Sequence, residues 1–173
     1  MDYQASSPDE KALVEACAHL GLVYMGDDDE ILKIRVTPPH MDYSRPFSVG
    51  KVNEIQFDRL HVLEFTSDRK RMSVIVKDEN GTKWIYTKGA ESYVFPLCSN
   101  NSGDMVAKTD AHISDFARSG LRTLAIARRK INDEEYREFI EELNEANSSL
   151  ENRKELSEKC YAKIESSKLF RFT

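Results

Sequence analysis

The chain has 173 residues, 40% hydrophobic and 32% charged, a balance that fits one folded domain with a core of its own. A net charge of −5 argues against general nucleic-acid binding, which relies on Lys and Arg to neutralise phosphates. No apolar run nears the roughly 18 residues needed to cross a bilayer, and no charged-then-apolar leader opens the chain, so a soluble cytosolic piece is expected.

Ser7-Pro8-Asp9-Glu10 opens the first helix. Ser7 is the N-cap, Pro8 stands at N1, where its missing N–H costs nothing, and Glu10 at N3 completes a capping box. Leu13, Ala16, Cys17 and Leu20 form an apolar stripe, and Gly21 ends the helix. The period then changes to two. Residues 22–25 and 31–36 read as strands around the acidic turn 27–30, and 37–53 as a long surface loop. Three more strands are predicted: 54–65, bent or broken near Leu60, then 72–77 and 83–87. The last two are joined by Asp78-Glu79-Asn80-Gly81, whose Asn-Gly is a hairpin signal and implies antiparallel pairing.

Lys88-Gly89-Ala90 opens a short helix over 90–97, with Pro96 near its end. Residues 100–108 read as a polar loop, and Thr109 as the cap of a helix that stops at Gly120. An apolar strand over 121–129 follows. Asn132-Asp133-Glu134-Glu135 is a second capping box, starting a helix to about Ala146, and 150–164 is a final helix. The Glu- and Lys-rich spacing of this end reads as a solvated helical face. The expected fold is α+β: a twisted antiparallel β-sheet flanked by helices, one domain over 1–173 with a helical C-terminal part at about 132–165. Cys17, Cys98 and Cys160 stand far apart and read as free thiols. His19, His40, His61 and His112 are scattered, so no metal site is expected.

Four segments stand out as candidates for chemistry. The first is the helix start 5–14, which is also simply a well-capped helix. The second is 63–74: Phe65 ends a strand, Arg69-Lys70-Arg71 fill a turn and Met72 begins the next strand. An aromatic face beside cations suits a planar base followed by phosphates, and it equally describes a core Phe beside a solvated turn. The third is Lys88-Gly89-Ala90, where a lysine at a strand end can reach into a pocket while glycine lets the backbone pass close, or can lie on the surface. The fourth is Ser119-Gly120-Leu121-Arg122-Thr123-Leu124, with an arginine at the start of a buried strand that can grip phosphate or pair with an acidic neighbour.

In their order and spacing these four segments resemble the nucleotide-binding (N) domain of the P-type ATPases. The wording of 4–10 and 69–74 is similar to the phospholipid-transporting (flippase) subfamily. The resemblance runs from Tyr3 to about Leu169. It implies an ATP site with Phe65 stacking on the adenine, Glu10 at the adenine edge and Lys88, followed by Gly89, on the pocket floor. It also implies Arg122, within Arg122-Thr123-Leu124, reaching the phosphates, Met72 and Leu124 as apolar walls, and Lys70 near ribose and phosphates. Ser67 occupies a place that is arginine in the related calcium pumps.

The implied cofactors are ATP and Mg2+, the latter held mainly by a phosphorylation domain absent from this chain. The implied partners are the phosphorylation and actuator domains of the same parent and a small membrane-spanning accessory subunit. No nucleic-acid partner is expected, and the piece itself is expected to be monomeric. Phosphoryl transfer needs an acceptor and metal-holding carboxylates. The family supplies them in D-K-T-G-T, T-G-D and G-D-G-x-N-D, none of which occurs here. The chain therefore reads as a fragment of a membrane ATPase, on the cytosolic side. It contains no catalytic residue and is expected to bind ATP near the millimolar level, about −4 kcal/mol, without hydrolysing it. Two other readings stay open: an N domain from a cation-transporting pump, and a protein-interaction module with degenerate nucleotide affinity.

Overall fold

Local chemistry sets the first helix as the sequence predicts. In the computed structural model α1 spans Pro8–His19, Glu10 donates its backbone N–H to the Ser7 hydroxyl at 3.2 Å, and Gly21 follows with φ +91°. The structure describes residues 3–5, 7–28, 30–36, 53–98, 103–149, 151–166 and 171–172, in two compact units, 1–59 and 60–173.

In the first unit, β1 (Leu22–Asp28) and β2 (Ile31–Val36) form a hairpin paired from Leu22↔Val36 to Asp28↔Ile31. The turn is thus tighter than the acidic stretch 27–30 predicted, and Glu30 takes φ +71° to close it. β2 pairs antiparallel with β3 (Asn53–Leu63), where Arg59 donates to Asp27 at 2.8 Å. β3 is one unbroken strand, so the break expected near Leu60 is corrected. The predicted loop 37–53 lies outside the described residues, apart from Asn53, which begins β3. The stripe Leu13, Ala16, Cys17, Leu20 is exposed. It is Glu15, Ala18 and His19 that line a cavity of about 290 Å3 with Tyr3 and Val23. Helix α1 meets the strand β1 through that side, leaving the more apolar side outward.

The second unit is built on β4 (Arg71–Asp78), β5 (Lys83–Gly89), β6 (Ala125–Ile131) and the short β7 (Arg171–Phe172), each antiparallel to the next. Asp78 organises the β4–β5 turn. Its carboxylate accepts from the Asn80 and Thr82 amides at 3.0 and 2.9 Å and from the Trp84 indole at 3.0 Å; the indole bond is the main reason its carboxyl lies below the usual range. Gly81 at φ +78° closes the turn, so the Asn-Gly signal marks a four-residue connection, 79–82.

Alternation in β6 is clean: Ala125, Ala127, Arg129 and Ile131 are buried. They share a core with Leu63, Ile75, Ile85 and Val94 and with Phe139, Leu143, Cys160 and Ile164 from two helices, α4 (Asp133–Ser148) and α5 (Arg153–Ser166). Each fully buried Leu, Ile, Val or Phe side chain contributes about 1.5–3 kcal/mol. The short helix α2 (Glu91–Val94) continues as a 3-10 turn, Phe95–Leu97, and α3 spans Gly103–Arg118.

The architecture is α+β, antiparallel strands flanked by helices. Two boundaries differ most from the sequence reading. Helix α3 already includes 103–108, placing Thr109 inside the helix and not at its cap: Ala107 and Lys108 are strong helix formers, which reading 100–108 as one polar loop passed over. The strand predicted over 121–129 begins only at Ala125 and runs on to Ile131. Strand β7 falls in the tail, which carried no prediction. All three cysteines are free thiols, and burial pushes Cys98 up to about 11.

Candidate functional site

The nine candidate residues of the second unit gather at one end of its strands. Because the connections are antiparallel, β3 ends, β4 begins, β5 ends and β6 begins at the same edge. Phe65 sits two residues beyond β3 and is 56% exposed. Ser67 and Lys70 lie in the turn that follows, both exposed, with Lys70 at φ +50°. The Lys70 amide closes this turn by donating to the Thr66 carbonyl at 2.8 Å. Register then aligns Met72, Lys88 and Ile126 directly across β4, β5 and β6. Opposed residues on an antiparallel ladder share a face, so these three form one row across the strands, on the side away from the core residues Ser73 and Thr87. Leu124, 43% exposed, stands two residues before Ile126.

Ile126 was not singled out in the sequence, although the alternation from Leu124 carries the signal. Arg122 is exposed in the segment 121–124 that precedes β6, which corrects its predicted place in a buried strand; Thr123 beside it is half-buried. Glu10 belongs to the first unit, in the first turn of α1, half-buried.

Gly89 has a steric role. A Cβ built on it would lie 2.5 Å from the Lys70 carbonyl oxygen and 2.6 Å from the Arg71 Cβ. That carbonyl also accepts from the Ala90 amide at 3.1 Å. Glycine here lets the end of β5 press against the cationic turn. Gly89→Ala is expected to lower unfolding free energy by about 1–3 kcal/mol, read from a thermal melt, because backbone atoms must move to make room.

The three cations of the turn have different roles. Only Lys70 is exposed. Arg69 and Arg71 point inward to Glu165 of α5, which is fully buried. One Glu165 oxygen accepts from Arg69 and, at 2.6 Å, from the Ser73 hydroxyl; the other accepts from Arg71 Nε at 2.8 Å. Arg69 also donates to the Glu64 carbonyl at 2.9 Å and lies 5.1 Å from the centre of the Tyr161 ring. The sequence shows three cations in the turn and gives only Lys70 a place near the phosphates; Arg69 and Arg71 turn inward. The sequence reading took α5 as a solvated face and so missed Glu165. Nothing local marks that residue as buried, since its partners lie more than 90 positions away.

The domain is thus α+β, with an exposed aromatic, the Met72–Lys88–Ile126 row and exposed cations at one edge of its strands. A family model for the P-type ATPase cytoplasmic domain N matches residues 3–166, and the chain belongs to that family. Its relatives narrow the subfamily. The chain is 36% identical over 163 residues to a phospholipid-transporting ATPase of Schizosaccharomyces pombe, covering 94% of this chain and 11% of the relative. It is 36% identical over 166 residues to Phospholipid-transporting ATPase 10 of Arabidopsis thaliana, covering 95% and 13%. It is 38% identical over 166 residues to Phospholipid-transporting ATPase DNF1 of Chaetomium thermophilum, covering 95% and 10%. The chain thus spans about a tenth of the length of these relatives. Among the described residues no helix is long and apolar enough to cross a membrane.

Proposed function

We propose that this domain binds ATP at the sheet edge formed by the ends of β3 and β5 and the starts of β4 and β6, and presents the γ-phosphate to a phosphorylation domain elsewhere in a phospholipid-translocating parent. The observation that carries this reading is the convergence of Phe65, Met72, Lys88 and Ile126 with Lys70 and Arg122 at one edge of a P-type ATPase N domain. An exposed ring beside the apolar side chains of Met72 and Ile126 fits an adenine face, and the neighbouring cations fit phosphates. In this reading Phe65 stacks on the base, Met72 and Leu124 flank it, and Lys88 lies on the floor, with Gly89 letting β5 approach the turn. Lys70 and Arg122 meet the phosphates. Ser67 and Thr123 offer hydroxyls nearby.

Mg2+ would travel with the phosphates. Its protein ligands would belong mainly to the phosphorylation domain. The parent would use the transferred phosphoryl group to move phospholipid, with this domain on the cytosolic side of the membrane. Its partners would be the actuator and phosphorylation domains and a small membrane-spanning accessory subunit. The domain alone, without an acceptor aspartate, would not hydrolyse ATP.

Chemical-shift titration of the 173-residue chain with ATP tests the reading. Saturable shifts near millimolar nucleotide are expected at 65–72, 88–90 and 122–126. Lys88→Ala is expected to weaken binding about tenfold, the size of one lost charge-assisted contact. An unchanged titration in Lys88→Ala removes that residue from the site. Absence of any ATP-dependent shift in the unsubstituted 173-residue chain favours the protein-interaction reading.

A further inference from the structure

We propose that Glu165 is the positioning residue of the cationic turn 66–71, orienting Lys70 for a nucleotide phosphate through Arg69 and Arg71; the role in binding rests on the ATP site proposed above. Among the described residues the Lys70 side chain has no inward partner to orient it. Its backbone stands at φ +50°, a conformation that non-glycine side chains rarely adopt and that persists where the surroundings over-determine it. The residues on either side supply that constraint. Arg69 and Arg71 flank Lys70 in sequence and converge on the two oxygens of one carboxylate with no solvent exposure.

The same carboxylate reaches the middle of the sheet. Ser73 donates to it at 2.6 Å and lies 2.7 Å from the Thr87 hydroxyl, so β4 and β5 are held along with the turn. The Lys70 carbonyl is fixed by the Ala90 amide, against the surface of Gly89. With residues 69 and 71 facing the interior, the side chain between them is directed outward. The charges support the same role. Two guanidinium groups and one carboxylate leave this buried cluster with one net positive charge behind the exposed Lys70, and a positive background attracts phosphate. Glu165 therefore does two things: it sets the shape of the turn, and it keeps Arg69 and Arg71 from competing with Lys70 for the ligand.

Glu165→Gln keeps the side chain's size, removes its charge and turns one acceptor into a donor facing an arginine. The first readout needs no nucleotide. Backbone amide shifts of 66–71 and of Ala90 are expected to move in Glu165→Gln, while those of the 78–82 turn stay in place. Unmoved 66–71 amides overturn the proposal whether or not the chain binds ATP.

The second readout is binding. Glu165→Gln is expected to weaken ATP about tenfold and to leave adenosine within about twofold, because the base site does not depend on Lys70. In a Lys70→Ala background the same substitution is expected to add little. Glu165→Asp, which keeps the charge, is expected to restore part of the ATP affinity. Equal loss of adenosine and ATP, or full additivity with Lys70→Ala, reduces Glu165 to a general structural role and overturns the proposal. Where Glu165→Gln fails to fold, Ser73→Ala removes one donor to the carboxylate and leaves both ion pairs. It is expected to produce smaller shifts in the same amides, and their absence likewise counts against the proposal. An unsubstituted 173-residue chain that binds neither ATP nor adenosine sinks the ATP site alone and leaves the turn shifts to decide the positioning role.

Discussion

Arg129→Ala is expected to cost about 3–4 kcal/mol of unfolding free energy, the lower part of the range for breaking a buried ion pair. Arg129 is 3% exposed on the core face of β6. Its guanidinium grips Glu135 with two bonds, at 2.9 and 2.6 Å, and also donates to the carbonyls of Lys130 at 3.2 Å and of Ile164. One side chain thus ties β6 to the first turn of α4 and the end of α5. Alanine leaves the Ile164 carbonyl and part of the Glu135 carboxylate without these donors, and opens a cavity as well. Glu135 keeps 26% of its side chain in water, which holds the cost below the upper limit. A domain of this size has about 5–15 kcal/mol in total, so the loss is a large fraction. Urea unfolding should show a lower midpoint at unchanged slope. The exposed pair Arg118–Asp115, with side chains 77% and 66% accessible, is the control; Arg118→Ala should change stability by less than about 0.5 kcal/mol. A loss under about 1 kcal/mol for Arg129→Ala would mean that the cluster is no better than a surface pair.

Arg129 also shows which parts of this molecule the sequence displays. Caps and turns are local chemistry, so Ser7, Gly21, Asn132 and Gly120 could be recognised from their neighbours alone. Strands with alternating apolar positions were equally visible. Helix α3 began too late in the sequence reading because polar residues serve helix and loop alike. The fate of a particular cation was not visible at all. Arg69, Lys70 and Arg71 are adjacent and chemically similar, yet two are held inside by a carboxylate on α5 and one is exposed. That sorting depends on which helix packs behind the turn, a long-range fact without a local signature. The candidate site shows the same divide. Motif order named Met72 and Lys88, and strand register sets Ile126 beside them in one row.

Phe65→Ala is expected to remove most nucleotide binding while leaving the fold intact, and the two effects are separable because of where the ring lies. Leu63 is fully buried; Phe65, two residues on, is 56% exposed. Truncating an exposed ring changes stability by about 0.5 kcal/mol or less. Stacking on a base is worth about 1–3 kcal/mol, a five- to 150-fold change in affinity. A site that binds near the millimolar level has no reserve against such a loss, so saturation should disappear from an accessible titration. The pattern across ligands then assigns the ring. Stacking uses the base that ATP, ADP and adenosine share, so all three should weaken together, and Phe65→Trp should retain them. Losing Lys70 or Arg122 should instead weaken ATP more than ADP and spare adenosine, because only the phosphates are affected. If Phe65→Ala weakens ATP and spares adenosine, the aromatic does not hold the base, and the orientation proposed along this edge must be reversed.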